Sequence, residues 1–391
     1  MSVDTYLYLD HAASSPLREE AIAAEAEFRS LPYAHANPNS LHSQGRAVSR
    51  ILDQARARIA SALGGGFRPQ EIAFTGGGTE SNNICVLGMA EGARMKDRNR
   101  NRVLISAIEH DSVLDLSRPL KERGFDVELI PVNRDCLVSV EALSDRIGED
   151  VALVSVMAAN NETGAIQPIG ALSRAAHAAG ALFHTDAVQA FMRIPLELDD
   201  ADAVSIAGHK IGAPVGVGAI AMRSRCPFRA QTFGGGQELG RRVGTQDACS
   251  AHVFGAVCDA LAPSLAERGI RVASEANSLQ ERLCAPGTGI HPTTSLVAGE
   301  GRLPGIVSIY APGADSESLI LRLDHAGYEV SAGSACSSGS LDPSHVLSAM
   351  GMKRDDAFCA LRISFDDRTP ESGLDAFAAE LLRIVGAILK K

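Results

Sequence analysis

Between residues 71 and 222, seven short apolar runs alternate with stretches of helical periodicity. The runs fall at 71–75, 103–108, 127–132, 151–157, 181–185, 203–207 and 217–222. Helical stretches at 79–94, 111–123, 140–147 and 168–179 lie between most of them. Strand-length apolar runs separated by helices predict an α/β fold, with a mostly parallel seven-stranded sheet and helices on both faces. The last two runs are joined by Gly- and Pro-rich sequence with no room for a helix, so an antiparallel edge is expected there. Upstream, Val48, Ile51, Leu52, Ala55, Ile59 and Leu63 make one apolar stripe of a helix over 45–63.

From about residue 256 the pattern changes. A long helix precedes the strand Val307–Tyr310 and a helix over 315–326. A Ser/Gly/Cys-rich stretch, a short helix near 344–350, a strand at 359–365 and a helix from Pro370 follow. This predicts a smaller α+β C-terminal domain. The expected division is a large domain over 15–255, and a small domain built from 1–14 and 256–391.

The 391 residues are enough for two domains with a large core. Formal net charge is −10, and no Lys/Arg cluster is interleaved with aromatics, so direct nucleic-acid binding is not expected. None of the eight cysteines forms a C-x-x-C pair, which argues against a metal cage. They are too scattered in a chain this large for a disulfide framework. Met1–Asp4 lacks a basic region leading into an apolar stretch, and no uninterrupted apolar run nears the ~18 residues of a membrane span. A cytoplasmic protein with no membrane association is expected.

Three segments carry a common chemistry. Strand 71–75 opens into Gly76-Gly77-Gly78-Thr79-Glu80-Ser81, where glycines and the first N–H groups of a helix can receive an anion. Alone, this is as often a plain strand-to-helix turn. The run 181–185 delivers Asp186, which is either a helix cap or a carboxylate for a ring nitrogen. Run 203–207 leads to Gly208-His209-Lys210. A lysine at such a strand end more often snorkels to solvent, but burial beside a cation would ready it for an imine. Amine, carboxylate and phosphate-binding helix start together match the needs of pyridoxal phosphate (PLP).

Other residues fit the same reading. His110, between a strand and a helix, is either structural or stacked on the cofactor ring. Asn160-Asn161 either makes a turn or donates to the ring oxygen. Gln189 follows Asp186 by one turn and could face the same ring. Most cysteines are inert, but Cys336 sits in Ser331-Ala332-Gly333-Ser334-Ala335-Cys336-Ser337-Ser338-Gly339-Ser340, which cannot pack a core and reads as an exposed loop. Of the eight it is the candidate nucleophile or sulfur carrier.

These motifs, with Tyr8-Leu9-Asp10-His11-Ala12-Ala13, Asn37-Pro38-Asn39-Ser40-Leu41-His42, Glu109-His110, Gly234-Gly235-Gly236-Gln237-Glu238 and Ser334-Ala335-Cys336-Ser337-Ser338-Gly339, resemble the NifS/IscS-type cysteine desulfurases, class V aminotransferases of PLP fold type I. The likeness runs from about residue 6 to 366, with the motifs in family order. The Cys336 loop sets this group apart from the SufS-like one. The resemblance implies that Lys210 joins PLP as an imine, Asp186 pairs with the pyridine nitrogen, and Gln189 and Asn161 bond the ring oxygen. It implies that His110 stacks on the ring, and that Gly78, Thr79 and His209 bind the phosphate. Thr245 would reach the phosphate of a neighbouring subunit in a homodimer. Arg362 would clamp the carboxylate of L-cysteine as a bidentate fork, and Cys336 would take the sulfur as a persulfide and pass it to an acceptor protein.

Two departures stand out. Ala207 occupies a position that is usually serine in the family, so one phosphate hydroxyl is missing. The chain ends at Lys391, and the extension by which IscS-type enzymes dock a scaffold protein is expected to be absent. The acceptor is therefore open among iron–sulfur cluster assembly, tRNA thiolation, DNA phosphorothioation and a dedicated pathway. The rivals are another PLP reaction (an aminotransferase, a selenocysteine lyase or an epimerase) and a silent scaffold. Cys336 argues against the first. The presence of Lys210, Asp186, His110 and Cys336 together argues against the second.

Overall fold

The computed structural model describes residues 6–333 and 342–390. Its centre is a seven-stranded sheet: β1 Ile72–Thr75, β2 Arg102–Ser106, β3 Asp126–Ile130, β4 Val151–Ser155, β5 Leu182–Asp186, β6 Ala203–Ala207 and β7 Gly218–Met222. The order across the sheet is β1-β7-β6-β5-β4-β2-β3. Strands β6, β5, β4, β2 and β3 are mutually parallel, and β7 runs against both of its neighbours.

The antiparallel pair of β6 and β7 is as expected, but its place at the edge is not. β1 pairs with the outer side of β7, in register from Ile72 opposite Ala221 to Thr75 opposite Gly218. All five residues of β7 are buried. A strand with both faces covered needs partners for both rows of its backbone groups, and β1 supplies the second row. Because β1 and β6 both oppose β7, their C-terminal ends emerge on the same side as those of β5, β4 and β2.

The central strands are buried on both faces, so side chains alternate between two cores rather than between core and water. Val103 and Ile105 of β2 join one core with Leu153, Ile220 and Met222, beneath the helix Gly78–Lys96. Leu104 faces the other with Val154, Phe183 and Val204. The helices Glu19–Ser30, Ser43–Leu63 and Ala248–Leu261 pack on that second side. The helical run Ala248–Leu283 is apolar and long enough to cross a membrane, and half of its most apolar stretch is buried. Phe254, Val257 and Leu261 place its first half in the core of the fold.

A second core gathers Val307, Ile309, Leu361, Ile363 and Phe365 with Phe377, Leu381 and Leu9. It holds a four-stranded sheet of order β10-β11-β9-β8, made of β8 His291–Pro292, β9 Ile306–Tyr310, β10 Ser331–Ala332 and β11 Ala360–Ser364. The N-terminus joins this part of the molecule. Leu7–Tyr8 pairs in parallel with Tyr328–Glu329, and Asp10 bridges to Ser364.

Candidate active site

The C-terminal ends of β1, β2, β4, β5 and β6 converge, and the loops leaving them line a cavity of about 210 Å³. Its walls include Gly78, Thr79, His110, Asn161, Asp186, Gln189, His209, Lys210 and Arg362. Open α/β sheets bind ligands in this position because strand ends there leave loops and helix N-termini facing one crevice. Of the candidate site residues, Cys336 lies outside the described residues, and Thr245 is exposed and does not line the cavity.

Lys210 ends a short turn, Gly208–Lys210, that follows β6. Gly208 permits that turn: a Cβ there would lie 2.8 Å from Val217 of the neighbouring strand's entry. The Lys210 Nζ donates to the carbonyls of Ala12 and Ala13, each at 2.7 Å. Burial, then the Arg193 and Arg362 guanidinium groups, lower its pKa to about 8. This is the poised amine an imine requires.

Asp186 sits at the end of β5, fully enclosed. Burial pushes its pKa up, and the Val188 N–H on Oδ1 (2.8 Å) and the Asn82 amide on Oδ2 (2.6 Å) pull it back. His110 caps the helix Asp111–Leu114: its Nδ1 accepts from the Ser112 N–H at 3.0 Å, which leaves the neutral ring's proton on Nε2. His209 is pushed down to about 4, first by burial and then by Lys210, so at neutral pH it is an uncharged donor.

The helix Gly78–Lys96 starts at the cavity with no side chain capping its first N–H groups. Gly78 is obligatory for close approach, since a Cβ would lie 2.7 Å from Val188. The same phantom Cβ is 3.6 Å from the Ala207 Cβ, so the buried Ala207 lies directly behind Gly78. The tandem amides divide their tasks. Asn160 is spent on a turn, accepting from Glu162 N and Thr163 N at 2.9 Å each. Asn161 is the one on the cavity wall.

Several wall residues escaped the sequence reading. Asn82 lies one helical turn beyond Thr79, and that spacing alone could have flagged it. Ser112, Glu162 and His345 also line the cavity. His345 Nε2 pairs with the Glu109 carbonyl at 2.9 Å, and Ser344 Oγ donates to the buried Glu162 Oε2 at 2.6 Å. Arg362 is more committed than a free fork. Its Nη2 donates to Asp10 Oδ1 at 2.7 Å and its Nη1 to the Asn161 carbonyl at 3.0 Å.

The aminotransferase class-V family profile matches residues 7–377. The chain belongs to that family, among its NifS/IscS-type cysteine desulfurases. An IscS-like cysteine desulfurase of Mycobacterium tuberculosis is 38% identical over 385 residues, covering 96% of this chain and 95% of that protein. The cysteine desulfurase NifS of Azotobacter vinelandii is 35% identical over 98% of this chain and 93% of its own length. A solved NifS-like protein superposes with a TM-score of 0.87 at 31% identity, covering 97% of this chain and 99% of the other.

The family's cofactor is pyridoxal phosphate, and the cavity fits it. A carboxylate whose charge burial opposes suits a cationic ring nitrogen. Gln189 Oε1 is buried without a partner among the described residues, and its Nε2 is held by the Ala12 carbonyl at 2.9 Å. The uncapped helix start suits a phosphate.

Proposed function

We propose that this desulfurase moves the sulfur of L-cysteine onto Cys336 and passes it as a persulfide to an acceptor protein. One observation carries the reading. Lys210, Asp186, His110 and Arg362 line a single cavity, and residues on either side of the Cys336 segment are tied to its wall. Gly333 accepts from Arg362 Nη1 at 3.5 Å, and Ser344 donates to Glu162.

Asp186 would face the ring nitrogen, Gly78, Thr79 and His209 the phosphate, and Asn161 and Gln189 the ring oxygen. Bound PLP supplies the electron sink for the bonds broken at the substrate carbons. Lys210 removes and returns the proton at the substrate Cα, and His110 offers a proton from Nε2. Arg362 holds the substrate carboxylate. The Cys336 thiolate attacks the substrate sulfur. The C–S bond breaks with its electron pair staying on carbon, and a proton completes the methyl group. L-cysteine and the thiolate thus become L-alanine and the Cys336 persulfide anion, with no atom or electron left over.

The reading extends to assembly. The protein acts as a cytoplasmic homodimer in which Thr245 of one chain completes the other's phosphate site. Supporting this, Thr245 is exposed while Leu41 and Phe233, also strongly exposed, lie near it in sequence or through the Asn39–Gln246 hydrogen bond. The division proposed is a large PLP-binding domain, 15–255, and a small domain of residues 1–14 and 256–391 whose sequence includes Cys336.

The decisive experiment is Cys336→Ser. The PLP-loaded variant should still bind L-cysteine, seen as a change in the cofactor's visible spectrum. It should release no alanine, because a hydroxyl is a far poorer nucleophile toward sulfur. Normal alanine release would overturn the persulfide route and favour a lyase. Recovery of the persulfide acceptor would decide among iron–sulfur assembly, tRNA thiolation and the other destinations.

A further inference from the structure

Arg362 lies in the middle of β11, paired with Ser308 of β9 on one side and Ser331 of β10 on the other. Its side chain is 1% exposed. A guanidinium that deep is costly unless paired, because desolvation of a lone charge outweighs what scattered dipoles return. Its one anionic partner among the described residues is Asp10, through a single Oδ1–Nη2 contact at 2.7 Å. The Arg362 Nε is buried with no partner among the described residues, so the fork is not saturated.

Asp10 differs from Arg362 in two ways. Its side chain is 20% exposed, so its carboxylate has a route to water. Its backbone is fixed: Asp10 bridges to Ser364, the Tyr8 hydroxyl donates to the Asp10 carbonyl at 3.0 Å, and His11 N donates to the Ser364 carbonyl at 3.1 Å. Only the short side chain is free to turn away. The two carbonyls that hold Lys210 Nζ, those of Ala12 and Ala13, belong to the same fixed segment.

We infer that Asp10 is a resident competitor for the substrate's carboxylate: it keeps Arg362 paired while the site is empty and yields to an incoming α-carboxylate. The inference rests on the assignment of Arg362 to the substrate carboxylate. Asp10 offers one oxygen to one nitrogen, whereas an amino acid's carboxylate brings two oxygens to a fork with an unused N–H. One carboxylate leaves as another arrives, so the charge around Arg362, Arg193 and Lys210 is conserved through the exchange. Displacement taxes the affinity of any carboxylate that takes the place of Asp10 on Arg362, whereas an amide leaves the Asp10 pair intact and pays no such tax. Asp10 is thus a positioning residue that acts through Arg362, keeping it paired in the empty site and lowering the apparent affinity for free α-amino acids.

The test uses PLP-loaded wild type and Asp10→Asn, titrated with L-alanine and with L-alaninamide and followed by the cofactor's visible spectrum. L-Alanine carries no sulfur to transfer, so the signal is binding alone. The expected result is about tenfold tighter L-alanine binding by the variant, with L-alaninamide unchanged. KM for L-cysteine should fall by a similar factor while kcat stays within about threefold. Thermal melting checks that the variant is folded, and Asp10→Ser stands in if it is not. Unchanged or weaker L-alanine binding would overturn the inference, the latter by showing that Asp10 merely orients Arg362. Wild type binding L-alanine and L-alaninamide equally would instead remove the Arg362 assignment beneath it.

Discussion

Asn82 donates its side-chain amide to Asp186 Oδ2 across 2.6 Å, from a helix 104 residues earlier in the chain. The same amide nitrogen reaches Ser112 Oγ at 2.9 Å, so the two loops beside the ring site are joined at this residue. With Val188 N–H, Asn82 opposes the burial that pushes the Asp186 carboxyl up. Asn82→Ala removes one of the two donors and should make Asp186 harder to ionise. A hydrogen bond to a charged group is worth about 1.5–3 kcal/mol, so PLP retention on dialysis should fall about ten- to hundredfold. Unchanged retention would mean that the Asp186 charge does not hold the ring.

Lys210→Met should abolish the cofactor's visible band while making the cofactor-free protein more stable. The folded pKa, about 8, lies below the usual 10.5. The charged form is therefore penalised in full below pH 8, and the penalty fades as pH rises toward 10.5. The variant should gain up to about 3 kcal/mol at pH 7 and lose that advantage by pH 10.5. Paired melting curves across this range check it. An advantage that grows with pH would contradict the assignment.

Glu109 is enclosed, and burial pushes its carboxyl up to about 8. Its Oε1 accepts from Met157 N at 2.7 Å and from the Ser106 hydroxyl. Here the fold holds the proton that the unfolded chain releases above pH 4.5, so wild-type stability erodes between pH 4.5 and 8. Glu109→Gln keeps the acceptor without the titration. Its stability should match wild type near pH 4.5 and exceed it by a growing margin up to pH 8, on the order of 4 kcal/mol, read as a rising melting temperature. A flat difference would show that Glu109 stays ionised in the fold.

Thr245→Ala should weaken PLP retention by about 1–3 kcal/mol, more than a lone hydroxyl usually matters, because Ala207 contributes none. Light scattering should report a dimer. Replacing the 88% exposed Leu41 and the 84% exposed Phe233 by Asp should yield monomers that shed cofactor. A fully active monomer would end the shared-site reading.

What could be read from the sequence was local. Lys210, Asp186 and His110 each follow directly on an apolar strand, so pattern and residue type coincide within a few positions. The seven strands of the large sheet were legible within a residue or two for the same reason, whereas Ser331–Ala332, read as exposed loop, pairs with β11. The pairing of β1 with β7 joins Ile72 to Ala221, and no local signal announces it. The contact of Asp10 with Arg362 spans 352 positions and was equally hidden. The helix Glu19–Ser30 also went unnoticed: its buried stripe is only Ala21, Ala24 and Phe28, too weakly apolar to show a period. Cys336 was singled out by its neighbours' smallness and lies outside the described residues.

The remaining cysteines bear on how the sulfur chemistry can be watched. Burial raises the thiols of Cys85 and Cys136 to about 12 and of Cys284 to about 11, and Cys226, Cys249 and Cys258 shift the same way. Cys359 is buried, with its Sγ donating to the Asp355 carbonyl at 3.3 Å. Near neutral pH the six raised thiols should stay almost unreactive toward iodoacetamide, since the thiolate is the species alkylated, and burial shields Cys359 from the reagent. The fold thereby provides a dark background. One equivalent of label in the native protein, mapped by mass spectrometry and carrying one extra sulfur atom after a turnover with L-cysteine, would count sulfur on a single residue without mutating any of the others.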